Sequence, residues 1–170
     1  MDAAELIARA EITDAITRYC RGVDRGDVDL IRSAYHADAT EDHGTFVGLS
    51  HDFAPHIVAK MAKAATTGQH SITNMTFDIT GNTARVETYY LALQPYVDEA
   101  GESDVAIMAG RYLDEFSQRD GAWLISAREV IIDWTHAHLP DTPWFGASAF
   151  RSGARGAADP SAAFFAGVTA

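Results

Sequence analysis

The sequence predicts an α+β fold in which N-terminal helices cover one face of a curled, mostly antiparallel sheet. Two observations carry that prediction. Apolar residues recur every three or four positions up to about Thr67, and every second position from Gln69 onward. Three runs, residues 83–97, 104–119 and 122–138, read as strands and exceed the usual upper length of about ten residues. Strands that long must twist and curl to bury one face, leaving a concave wall for the helices to close.

The elements follow in order. Residues 3–23 form a helix with Leu6, Ile12, Ile16, Tyr19, Cys20 and Val23 on one apolar stripe. Gly22 and Gly26 break the pattern, and Asp27 caps a short second helix carrying Leu30, Ile31 and Ala34. Residues 35–47 are extended, with a turn around Gly44. Ser50 or Asp52 caps a third helix with Phe53, Ile57 and Met61 at steps of four, and Pro55 is tolerable only near its start. The strand from Gln69 to Thr80 ends at Gly81-Asn82, a hairpin signal, and turns recur at residues 98–103 and 119–121. Residues 1–138 thus make one domain. Residues 139–170 are rich in Ala, Gly and Pro but carry Trp144, Phe145, Phe150, Phe164 and Phe165, which suits a tail packed as a lid or a subunit contact.

Composition excludes several functions. A formal net charge of -11 lacks the basic footprint that nucleic acid or an anionic membrane surface requires. Cys20 is the single cysteine, so no intrachain disulfide forms and a reducing compartment suits the chain. No run approaches about 18 apolar residues, and the first residues lack a basic region followed by an apolar one. A cytoplasmic location is the expectation. There is no phosphate loop, HExxH, CxxC or nucleophile elbow. His136 and His138 share a strand face, but two ligands make a weak metal site, and no metal or organic cofactor is expected.

Three residues carry the chemistry. His70 alternates with Ile72 and Asn74, which places an imidazole beside an amide on the face expected to line the pocket. As a base it needs an acceptor on its second nitrogen, and Asp24 and Asp27 are the acidic candidates. Arg128 shares a face with Leu124, Val130, Ile132 and Trp134; an apolar setting demands that it pair, with Asp24 for instance, or stabilise charge on a leaving group. Tyr19 lies on the inner stripe of the first helix, as core or as a phenol donor.

Residues 18–27 (RYCRGVDRGD), 35–40 (YHADAT) and 121–128 (GAWLISAR) together resemble the SnoaL-like branch of the nuclear transport factor 2 superfamily, over about residues 5–138. The resemblance implies a cone-shaped α+β barrel with a deep apolar pocket. Within it, the pattern is most similar to the hexachlorocyclohexane dehydrochlorinase, scytalone dehydratase and bile-acid dehydratase group. In those enzymes a pocket histidine, oriented by an aspartate at the end of the first helix, abstracts a proton during elimination. That implies His70 as base and Asp24 as its orienting acid, with Arg128 and Tyr19 at the positions of the dehydrochlorinase's arginine and lysine. The second acidic or imidazole group of the dehydratases has no counterpart between Thr88 and Gln94, which leaves Tyr19 or Tyr112 as donors.

The expected activity is a cofactor-independent elimination on a hydrophobic small molecule, such as a steroid, polyketide, terpenoid or cyclic xenobiotic. A ketosteroid-type isomerase is the rival, with Asp42 as base and Tyr19 as oxyanion donor. The epoxide hydrolase pattern fits poorly, since Arg111 and Asp114 cannot share a strand face. A non-catalytic binding domain is the third reading. The resemblance implies a homotrimer, and the wider superfamily also forms dimers.

Overall fold

The computed structural model describes residues 1–64, 68–97, 103–136, 151–152 and 160–166. Helix α1 (Ala3–Arg25) starts at Asp2, whose side chain accepts the Glu5 N–H at 2.9 Å, and ends at Gly26 in the left-handed conformation. Its buried stripe includes Ala8, Ile12, Ala15, Ile16, Tyr19, Cys20 and Val23, whereas Leu6 is exposed. Gly22 lies inside α1, where a β-carbon would come within 2.6 Å of the Ile31 side chain, so glycine lets α2 (Val28–Arg32) fold back against α1. Asp27 caps α2 through the Leu30 N–H at 2.9 Å.

Strand β1 (Tyr35–Asp42) and the short β2 (Val47–Leu49) form a hairpin leading into α3 (Ser50–Ala64). Pro55 inside α3 has no N–H for the carbonyl of His51. Arg32 fills the gap, donating Nε and Nη2 to that oxygen at 3.1 and 3.0 Å. Strands β3 (Gln69–Thr80), β4 (Thr83–Val97), β5 (Ser103–Arg119) and β6 (Ala122–His136) then meander antiparallel. The sheet order is β2-β1-β6-β5-β4-β3, with β1 parallel to β6. Helix α1 packs on β3 and β6, and α3 on β1, which gives the helix-covered curved sheet that the sequence predicts. None of the described helices is long and apolar enough to cross a membrane.

Most of residues 139–170 lies outside the described residues. Of that segment, β7 (Arg151–Ser152) runs parallel to β6 past the end of β1, and Arg151 pairs with Glu129. In α4 (Pro160–Phe165), the Phe164 ring lies 5.7 Å from the Arg85 guanidinium.

Three β-bulges change the face assignments. On β3, Ile72 pairs with Tyr90 and Met75 with Thr88, so one extra residue sits at Thr73–Asn74. The parity flips there: His70 and Ile72 share the helix-facing side with Met75, Phe77 and Ile79, and Asn74 is exposed rather than inward. On β6, extra residues at Ser126 and Asp133 do the same. Ile125, Arg128, Val130 and Ile132 are therefore buried, while Leu124 and Trp134 leave that face; Trp134 is 51% exposed, not part of the inner wall.

Candidate active site

Asp24 lies in the last turn of α1, and His70 is the second residue of β3. His70 Nδ1 is 2.6 Å from Asp24 Oδ1, and the His70 backbone N–H donates to Oδ2 at 2.9 Å. Both oxygens of one carboxylate thus grip one residue, fixing the imidazole against the start of its own strand. Both side chains are about nine-tenths buried. Burial pushes the Asp24 carboxyl up, but the imidazole and backbone hydrogen bonds and the nearby His70 and Arg25 charges outweigh it and hold it below the usual range. An ionised Asp24 accepts the proton on Nδ1, which leaves Nε2 as the basic nitrogen. Asp27, the other acidic candidate, is committed to capping α2.

Arg128 is held differently from the expected Asp24 pairing. Its Nε and Nη2 donate to the two carboxylate oxygens of Asp114, each at 2.7 Å, directly across the β5–β6 ladder. Both side chains are fully buried. The guanidinium carbon lies 4.1 Å from the Tyr19 ring centre, 4.2 Å from Tyr112 and 5.7 Å from Tyr35. Burial opposes the Arg128 charge, but Asp114 and the neighbouring phenols outweigh it, so the group stays cationic. Its Nη1 is buried with no hydrogen-bond partner among the described residues.

The tyrosines link the two charged centres. Tyr112 stacks on Tyr90 at 4.5 Å and meets Tyr19 edge-on at 5.7 Å, and Tyr90 lies 6.3 Å from the His70 ring. Tyr90 needs Gly110 beneath it, since a β-carbon there would sit 2.8 Å from the phenol oxygen and 2.0 Å from the Ile131 carbonyl. Burial, ahead of the opposing Arg128 charge, keeps the Tyr19 and Tyr112 hydroxyls well above the usual phenol range. They remain protonated donors.

Asp42 does not occupy the inward position. It points off the alternation, and its Oδ1 accepts the Gly44 N–H at 3.0 Å in the turn. The inward carboxylate is Glu41, 1% exposed and paired in register with Arg128. It accepts the Tyr35 hydroxyl at 2.7 Å on one oxygen, and the His43 ring nitrogen Nδ1 lies 3.0 Å from the other. Glu41, Tyr35, His43 and Tyr90 were not singled out from sequence, and Asp114 was named only with Arg111 as a poorly fitting pair. Along β1 His36 is buried and Ala37 exposed, and the register with β6 shifts between Tyr35 and Thr40, so only Ala39 and Glu41 keep a period of two and YHADATED carries no plain signal for Glu41. Arg111 also has its own acids, Asp133 and Glu87, on the opposite face of β5 from Asp114.

Comparison with known proteins places this architecture. A proposed scytalone dehydratase of Novosphingobium aromaticivorans DSM 12444 is 18% identical and superposes with a TM-score of 0.75, covering 92% of this chain and all of that one. The type 3 hexachlorocyclohexane dehydrochlorinase of Novosphingobium barchaimii LL02 is 21% identical, with a TM-score of 0.71 and coverage of 83% and 100%. A proposed aromatic ring hydroxylase of N. aromaticivorans is 19% identical, with a TM-score of 0.67 and coverage of 79% and 95%. At these identities the likeness is one of fold. No curated protein matches the sequence. The family is shown by the sequence itself: residues 4–129 match the SnoaL-like domain, and the chain belongs to that family.

Proposed function

We propose that the protein is a cofactor-independent lyase acting on a hydrophobic small molecule, with His70 as the base. The observation that carries this reading is the two-point grip of Asp24 on His70, which fixes one imidazole tautomer beside the buried tyrosines. His70 Nε2 removes a proton from carbon, the carbon–carbon double bond forms, and the leaving group departs with its electron pair. Tyr19 donates a hydrogen bond to the departing group, and the Arg128 charge behind the Tyr19 ring stabilises the negative charge that develops. Asp114 holds Arg128 in that place. Solved structures of similar fold that are named as a dehydratase and a dehydrochlorinase support a lyase, and leave open whether water or halide departs.

A carboxylate-based isomerase is less well supported, because Asp42 is tied into its turn. The test is a panel of hydroxylated and halogenated cyclic compounds without added metal or cofactor, read as new conjugated absorbance. Conversion that His70→Gln abolishes supports the reading. A shifted double bond with no group released points to isomerisation instead.

A further inference from the structure

Imidazole is a weak base, so the carbon it deprotonates must be acidified by a neighbouring group. An adjacent carbonyl does this by taking the electron pair onto its oxygen, and the oxyanion that forms is stabilised by a donor already fixed in place. Tyr90 is such a donor, and it lies beside His70.

Across the β3–β4 ladder Tyr90 pairs with Ile72, two residues along from His70 on the same helix-facing side. The His70 and Tyr90 ring centres are 6.3 Å apart. Tyr90 is held from two directions. It stacks on Tyr112 at 4.5 Å, and its phenol end rests on Gly110, its partner across β4–β5, where a β-carbon would meet the hydroxyl at 2.8 Å. Among the described residues no hydrogen bond occupies that hydroxyl. Burial, with the Asp133 charge, pushes the phenol well above its ordinary range against the opposing Arg128 charge, so it stays protonated. The carboxylates of the interior are already engaged: Asp24 with His70, Glu41 with Tyr35 and His43, and Asp114 with Arg128. The base therefore has beside it a fixed donor with no acceptor of its own. Tyr90 is 5% exposed and the His70 side chain 9%, so neither is sealed off. One carbonyl compound can meet both, with the imidazole about 3 Å from a carbon and the hydroxyl about 2.7 Å from the neighbouring oxygen.

We propose that the Tyr90 hydroxyl donates to a carbonyl oxygen of the substrate, which is then a carbonyl compound with its leaving group β to that carbonyl. The proposal rests on the reading of His70 as the base of a lyase and adds the substrate class. His70 Nε2 takes the proton from the α-carbon, and the electron pair moves onto the carbonyl oxygen to give an enolate held by Tyr90. The pair then returns, the double bond forms between the α- and β-carbons, and the leaving group departs with its own electron pair. The products are the unsaturated carbonyl compound and the released group, and His70 passes its proton to solvent. Tyr90 keeps its proton throughout.

The experiment separates enolate formation from departure of the leaving group. 1,3-Diphenylpropan-1-one has the carbonyl and nothing to expel, so in D2O its α-hydrogens exchange only through the enolate, which proton NMR follows. The wild type should catalyse this exchange, and Tyr90→Phe should slow it about 100-fold with a thermal midpoint near the wild-type value. The same loss should appear in kcat/KM for chalcone formation from 3-chloro-1,3-diphenylpropan-1-one. Exchange by Tyr90→Phe at the wild-type rate, or wild-type conversion of the chloride without exchange of the ketone, overturns the donor assignment and leaves the His70 base standing. Undiminished exchange and conversion by His70→Gln overturn the underlying reading instead. Chalcone tests the assignment without turnover. Its absorbance band should move to longer wavelength on the wild type and not on Tyr90→Phe; chalcone that fails to bind the wild type, or binds with no shift, contradicts the proposal.

Discussion

The two oxygens of Asp24 bind two different donors of His70, the imidazole Nδ1 at 2.6 Å and the backbone N–H at 2.9 Å. One contact orients the ring and the other fixes the strand that carries it. The end of α1 and the start of β3 are thereby locked together at the candidate base.

This lock makes stability depend on pH in a defined direction. The His70 contacts and the Arg25 charge hold the folded Asp24 carboxyl low despite the upward push of burial. A carboxyl lowered on folding stabilises the native state above its unfolded value, about 3.9, and that contribution disappears as pH falls through the folded value. Urea unfolding should therefore show wild type more stable than Asp24→Asn at pH 6, with the gap closing as pH drops below about 4. A gap independent of pH would show that the contact, not the charge, matters.

The Arg128–Asp114 pair is fully buried and bidentate. Removing one partner leaves an uncompensated buried charge, so Asp114→Ala should cost about 3–5 kcal/mol by denaturant titration. The double replacement Asp114→Leu with Arg128→Met should recover most of that stability. The double variant should nonetheless be slow, since the charge behind Tyr19 is gone.

Cys20 lies in the core, and burial pushes its thiol up to about 12. Thiol reagents at pH 8 should label the native protein only at the rate of global opening, and fast in urea. Rapid native labelling would place an opening beside α1.

Much of the architecture was legible because it depends on local signals. The Asp27 cap, the Gly44 turn, the Gly81-Asn82 hairpin and the change of period at β3 all read directly from the sequence. His70 stood out from its place on the strand, but Asp24 was chosen as its partner through resemblance to a family, since nothing local says which of Asp24 and Asp27 reaches the sheet. The errors share one cause. Strict alternation put Asn74 and Trp134 inward, and an extra residue at Thr73–Asn74 in β3 and another at Asp133 in β6 turned them out. A bulge leaves no mark in an alternating pattern of short polar residues such as Thr73-Asn74. Asp42 was read as the isomerase-type base without the β1–β6 register, which pairs Glu41 with Arg128, and the β5–β6 register decides that Arg128 meets Asp114 rather than Asp24.

The Asn74 correction has its own test. An exposed bulge residue outside the interior should tolerate replacement, so Asn74→Ala should change stability by less than about 0.5 kcal/mol and leave turnover unchanged. A large loss of turnover would restore it to the site.

The most direct test of the account is the kinetics of His70→Gln on a probe that the wild type converts, run beside a substrate deuterated at the carbon that loses its proton. The account predicts a primary isotope effect on kcat/KM in the wild type. It predicts that His70→Gln lowers kcat/KM by about 10²- to 10⁴-fold, with a thermal midpoint close to the wild-type value. Undiminished turnover by a folded His70→Gln protein would contradict it.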